Sequence, residues 1–142
     1  MENKQLTVTT TVPVTPKKAW SYYTEAEHVI NWNFASEDWH CPKAINDLRV
    51  GGDFIITMAA KDGSMTFDME GTYDKVDSPE HLAYTLTDKR KVAVDFKGGG
   101  SETEVTITFD PADKQSDEQQ THGWEGIANN FKAYVTKMEG GK

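Results

Sequence analysis

Only one cysteine, Cys41, occurs in the 142 residues, which excludes an internal disulfide framework and suits a reducing compartment. No apolar stretch approaches the roughly 20 residues needed to cross a bilayer. The start, Met1-Glu2-Asn3-Lys4-Gln5, lacks a basic segment followed by an apolar run. The chain is therefore expected to be soluble, unexported and cytoplasmic, with no membrane insertion. Basic side chains are also in deficit, 15 against 23 acidic ones, for a formal net charge of −8. A field of that sign repels phosphate backbones and anionic lipid surfaces, so nucleic acid is not an expected partner.

Motifs that would announce a reaction are missing as well. There is no nucleophile elbow, Walker loop, dinucleotide fingerprint or paired-cysteine metal site, and no cofactor is expected. His28, His40, His81 and His122 are scattered and match no ligand spacing, so no metal site is expected either. Gly51-Gly52 and Gly98-Gly99-Gly100 precede no helix and read as turns rather than phosphate cradles. With no internal repeat and no low-complexity linker, residues 1–142 read as a single domain.

What is present is clear periodicity. Leu6 to Val12 alternates apolar and threonine residues as a strand with one buried face, and Pro13 stops it. Thr15-Pro16 then supplies an N-cap and a proline at the first helical position, predicting a helix over Pro16 to Thr24 with Ala19, Trp20 and Tyr23 as its apolar stripe. A second short helix is expected around Ala26 to Asn31. From Trp39 to Phe109 the period is two, and at least five strands are marked by their apolar sides. These are Phe54, Ile56 and Met58; Met65, Phe67, Met69, Gly71 and Tyr73; Leu82, Tyr84 and Leu86; Val92, Val94 and Phe96; and Val105, Ile107 and Phe109. Turn residues join them at Gly51-Gly52, Asp62-Gly63, Ser78-Pro79-Glu80, Asp88-Lys89 and Gly98-Gly99-Gly100, short connections that imply an antiparallel meander. After Pro111 and a polar stretch from Asp113 to Gln120, helical spacing puts Trp124, Ile127, Ala128, Phe131, Val135 and Met138 on one face, with Gly140-Gly141 as the stop. An apolar-faced sheet and an amphipathic helix must bury each other. Gly71, interrupting a row of large residues, is expected to face that helix and permit close approach.

The order strand, two short helices, long meander and C-terminal helix resembles the helix-grip fold of the START-like superfamily, also called SRPBCC or Bet v-type proteins. Several segments narrow the resemblance: Asp47-Leu48-Arg49-Val50-Gly51-Gly52, Glu70-Gly71-Thr72-Tyr73, Ser78-Pro79-Glu80-His81-Leu82-Ala83-Tyr84, Thr103-Glu104-Val105-Thr106, and Gly123-Trp124 through Asn130-Phe131 with Tyr134. Together they are similar to bacterial homologues of the C-terminal domain of the heat-shock protein 90 ATPase activator. The resemblance implies an α+β fold in which a curved antiparallel sheet of about six to seven strands wraps around the long terminal helix. It also implies a deep cavity between helix and sheet, often used in such proteins for hydrophobic molecules such as lipids, polyketides or plant phenolics.

The expected function is thus the binding or carrying of a hydrophobic small molecule. Expected lining residues on the strands are Trp39, Phe54, Met58, Phe67, Met69, Tyr73, Tyr84 and Phe96, and on the terminal helix Trp124, Ile127 and Phe131. Tyr73 and Tyr84 would either present hydroxyls to a ligand or fill core. Glu37-Asp38-Trp39-His40 is the densest polar and aromatic cluster. On one strand parity Asp38 and His40 share the inner face, where the carboxylate could orient the imidazole as a general base, and an alternative polyketide-cyclase or dehydratase activity would have Asp38, His40 or Tyr84 transfer a proton. The other parity puts Trp39 and Cys41 inside and is favoured, because apolar groups win the buried face. A third reading, contact with a chaperone, follows from the family resemblance alone. The chain matches only the activator's C-terminal part, so strong ATPase stimulation is not expected.

Overall fold

A computed structural model describes residues 5–34, 38–87, 89–98, 101–110 and 117–140. Strand β1 (Leu6–Val12) leads through helices α1 (Pro16–Thr24) and α2 (Ala26–Val29) to β2 (Trp39–Asn46), β3 (Asp53–Ala60), β4 (Thr66–Asp77), β5 (His81–Leu86), β6 (Lys91–Gly98) and β7 (Thr103–Phe109). Helix α3 (Asp117–Gly140) follows. The seven strands form one antiparallel sheet in the order β1-β7-β6-β5-β4-β3-β2. The expected α+β architecture, a curved sheet gripping a long terminal helix with short helices after the first strand, is borne out. No helix among the described residues is long and apolar enough to cross a membrane. Glu37, Asp88, Gly99, Gly100, Gly141 and the segment 111–116 lie outside the described residues.

Local chemistry accounts for the element boundaries. Thr15 caps α1, its hydroxyl accepting from the Lys18 amide at 3.4 Å, with Pro16 in the first turn. The helix stops where Glu25 turns extended (φ −76, ψ 129), and α2 restarts directly after it. α2 ends at Val29, short of the Asn31 expected, although turn hydrogen bonds carry the chain on, Ile30 N to Ala26 O and Asn31 N to His28 O. Gly51 and Gly63 take positive φ (84 and 80) at the turns before and after β3, the conformation for which glycine carries no Cβ penalty.

The core lies between the sheet's concave face and the helices. Val94, Val105, Val12 and Val135 have no exposed surface, and Leu82, Ile107, Phe109, Phe131 and Trp32 are exposed by 2% or less. Each such side chain contributes roughly 1.5–3 kcal/mol through burial. At the centre Phe131 of α3 meets Tyr23 of α1 and Trp32 after α2, with ring centroids 5.1 and 4.9 Å apart.

Three expectations need correction. Gly71 does not make room for α3: a Cβ there would lie 2.8 Å from the Phe54 ring and 2.8 Å from the Thr85 carbonyl oxygen. It makes room for its cross-strand partner Phe54. Met65 and Phe67, placed on a buried row by their period, are 58% and 47% exposed, because the β3–β4 hairpin runs on toward its tip without a covering layer. Met138 is 51% exposed, the apolar stripe of α3 being buried only as far as Val135.

Candidate functional site

Strands β2 to β5 diverge from α3 enough to leave a cavity. Its walls are Ala44 and Asn46 of β2, Phe54 and Ile56 of β3, Met69 and Tyr73 of β4, and Leu82 and Tyr84 of β5. Tyr23, Thr24, Ala26 and Val29 of the short helices, Asn33 after them, and Trp124 and Ile127 of α3 close it. Including its mouth, the unfilled space is about 490 Å³, but the centre of a water molecule can reach only about 30 Å³ of it, room for about one water. The closed form therefore holds a narrow cavity rather than a deep one. A wider groove past Pro16, Pro79, Phe96 and Glu104 is open to solvent.

The expected lining residues divide accordingly. Phe54, Met69, Tyr73, Tyr84, Trp124 and Ile127 are brought together at the cavity. Phe131 and Phe96 are instead ring-packed core: Phe131 sits against Tyr23 and Trp32, and Phe96 lies 5.4 and 5.5 Å from Trp20 and Tyr23. Trp39 and Phe67 pair edge-to-face at 5.6 Å near the hairpin tip with Met58 opposite Phe67, clear of the cavity walls. Periodicity identifies a face of a strand but not the distance along it at which the covering helix ends.

Asp38, His40 and Tyr84 are not assembled into one site. Trp39 and Cys41 turn inward while Asp38 and His40 are exposed, and β3 and β4 separate β2 from the buried Tyr84. Burial pushes the Cys41 thiol up, which leaves it a poor nucleophile. A register shift between His40 and Lys43 then brings Ala44 and Asn46 to the inner face.

That shift creates the cavity's polar end, which sequence reasoning missed. Asn46 accepts from the Tyr73 hydroxyl at 2.6 Å and donates its amide to the Thr24 carbonyl, tying β2 to β4 and α1. Asn33 also lines the space, and its Oδ1 is buried without a hydrogen-bond partner among the described residues. Only the pairing register, which no short-range pattern encodes, reveals Asn46, and only the tertiary fold reveals Asn33.

Among the described residues the lining contains no carboxylate, imidazole, amine or thiol. Its titratable groups are the tyrosine hydroxyls, and burial raises Tyr23, Tyr73 and Tyr84 well above the ordinary value, with further upward pushes on Tyr23 from Tyr73 and on Tyr84 from both others. At neutral pH they are hydrogen-bond donors and not bases. Outside the cavity, Tyr22 is pushed up to about 12 by its 2.6 Å hydrogen bond to Glu139, and Tyr134 is raised by desolvation.

Tyr23, Tyr73 and Tyr84 therefore resist ionisation while the chain is folded. The stability they confer is complete below the unfolded value of about 10 and is lost as pH climbs through the raised folded values. In an alkaline titration, the tyrosinate absorbance of these three is expected to rise only together with loss of far-ultraviolet circular dichroism. Complete ionisation of all the tyrosines near pH 10 in the intact fold would contradict the burial assigned to these rings.

The structure also gathers Glu25, Glu27 and His28, whose candidate ligand atoms lie within 4.8 Å of one another, a cluster that the scatter of histidines had hidden. The two carboxylates are exposed, and His28 Nδ1 is engaged with the Tyr134 hydroxyl at 2.7 Å.

Residues 13–136 match the family model described as Activator of Hsp90 ATPase homolog 1-like protein. Among solved structures, an AHSA1-like protein from Aeromonas hydrophila is 35% identical, with 98% of this chain and 96% of that chain covered and a TM-score of 0.89. A protein from Cytophaga hutchinsonii is 42% identical over 97% of this chain and 96% of that one, with a TM-score of 0.81. A Nitrosomonas europaea protein, 19% identical with a TM-score of 0.81 over 94% and 95% of the two chains, shares the fold. No curated protein matches the chain.

Proposed function

Since this chain belongs to the Activator of Hsp90 ATPase homolog 1-like family, we propose that it binds a hydrophobic small molecule of lipid, polyketide or phenolic type between α3 and strands β2 to β5. The carrying observation is the narrow, mostly apolar cavity with a few neutral polar groups in its lining, the composition of a small-molecule site. A ligand larger than water requires that space to widen. The part of α3 that covers it carries Trp124 and Ile127, both half-buried, next to Gly123 and Gly126. Each interior glycine costs a helix about 1 kcal/mol relative to alanine, so this half of α3 is the wall most readily displaced.

Native purification followed by mass spectrometry of the extracted small molecules tests the reading most directly. Ligand added at about one hundred times its dissociation constant is expected to stabilise the chain by about 2.7 kcal/mol, a melting shift of roughly 5–11 °C for a domain near this size. Quenching or a spectral shift of Trp124 fluorescence should accompany it. A broad hydrophobic panel producing neither signal would defeat the proposal, and recovery of a chaperone in place of a small molecule would favour the accessory role that the family description suggests.

A further inference from the structure

Asn33 is 6% exposed and lines the cavity, yet its Oδ1 has no hydrogen-bond partner among the described residues. Nearly all buried polar side-chain atoms are paired, so an orphaned one needs an explanation. The backbone gives this residue little freedom to turn away. Its own amide donates to Val29 O at 3.0 Å, the preceding Trp32 is anchored by Nε1 to Tyr22 O at 3.0 Å, and the following Phe34 carbonyl accepts from Asn130 Nδ2 of α3 at 2.5 Å. The backbone that carries the acceptor is thus fixed in advance of any partner. Tyr73 and Asn46, by contrast, satisfy each other.

Electrostatics narrows the partner. Among the described residues no lysine, arginine or histidine lines the cavity, and the buried tyrosines are kept neutral. An anion placed there would lose its hydration with no countercharge to replace it. Resting on the binding reading above, we infer that the cavity selects neutral apolar molecules bearing a hydroxyl or N–H group, which donates to Asn33 Oδ1, and that it rejects carboxylates, fatty acids among them.

Three probes of one skeleton test this on the full chain at pH 7: 4-ethylphenol, its methyl ether 1-ethyl-4-methoxybenzene, and 4-ethylbenzoate. Amide and side-chain NMR shifts report the affinities. The phenol is expected to bind about tenfold more tightly than the ether, the worth of one hydrogen bond to an otherwise unpaired buried acceptor, and the benzoate more weakly than either. Asn33→Leu and Asn33→Ala should each bring phenol and ether to equal affinity. Asn33→Leu should also raise the melting temperature of the empty protein, because it removes an unpaired polar atom. Equal binding of phenol and ether by the unaltered chain, or a phenol preference that survives both substitutions, would overturn the donor assignment while hydrophobic binding stood. Benzoate binding as tightly as phenol would overturn the charge selection. If none of the three perturbs a cavity residue, the binding reading falls and takes this inference with it.

Discussion

Phe131→Ala is expected to destabilise the chain by about 3–5 kcal/mol, the range for removing a large buried aromatic ring. Phe131 is 1% exposed on the inner face of α3, where Ala128 and Val135 are its buried companions. Its ring meets Tyr23 at 5.1 Å with an interplanar angle of 76° and Trp32 at 4.9 Å with 67°, edge-to-face arrangements that add to simple burial. The site has little capacity to collapse after truncation, because Trp32 is held by its indole hydrogen bond to Tyr22 O and Tyr23 is also packed on Phe96. Nor does Phe131 line the cavity, so the lost volume becomes a new void. Against a typical net stability of 5–15 kcal/mol the loss is large. Urea unfolding should show a lower midpoint at an unchanged slope. A loss well under this range, accompanied by altered ligand affinity, would place the ring against the ligand instead of in the core.

Gly71→Val is expected to cost about 3 kcal/mol, the upper part of the usual overpacking range. The first carbon of any side chain at this position would approach two atoms of the Phe54 ring at 2.8 and 2.9 Å and the Thr85 carbonyl at 2.8 Å. Thr85 belongs to the backbone of β5, which is paired with β4 at this point, so it cannot withdraw without breaking the ladder. Phe54 is confined in turn by Tyr73 and Tyr84, whose ring centroids lie 5.1 and 4.8 Å away. The added methyl groups drive Phe54 toward the cavity that it lines, so ligand affinity should fall along with stability. Thermal unfolding and ligand titration of the same variant measure both effects. Unchanged stability would mean that Phe54 has another place to go.

Much of this arrangement was legible from local pattern. Thr15-Pro16 opens α1, and alternation along β3 to β7 assigns Phe54, Met69, Tyr73 and Tyr84 to the concave face. Helical spacing does the same for Trp124 and Ile127. The same patterns made Met58, Phe67, Phe96 and Phe131 indistinguishable from these, since a face continues beyond the stretch that any one partner covers. Gly71 was recognised as a place of close approach, but the neighbour that uses the space sits one strand away.

Determined by the sequence itself were the α+β architecture, the element order and the buried side of strands β1, β3 and β5 to β7. All three follow from periodicities of two and 3.6 residues and from turn residues acting over a few positions. The tertiary structure alone decided how small the cavity is, which apolar residues reach it, and that its polar end consists of Asn33, Asn46 and tyrosine hydroxyls. Those outcomes depend on the register shift between His40 and Lys43 and on how far α3 covers the sheet. Each is set by contacts between segments distant in sequence, whose packing energies no local pattern carries.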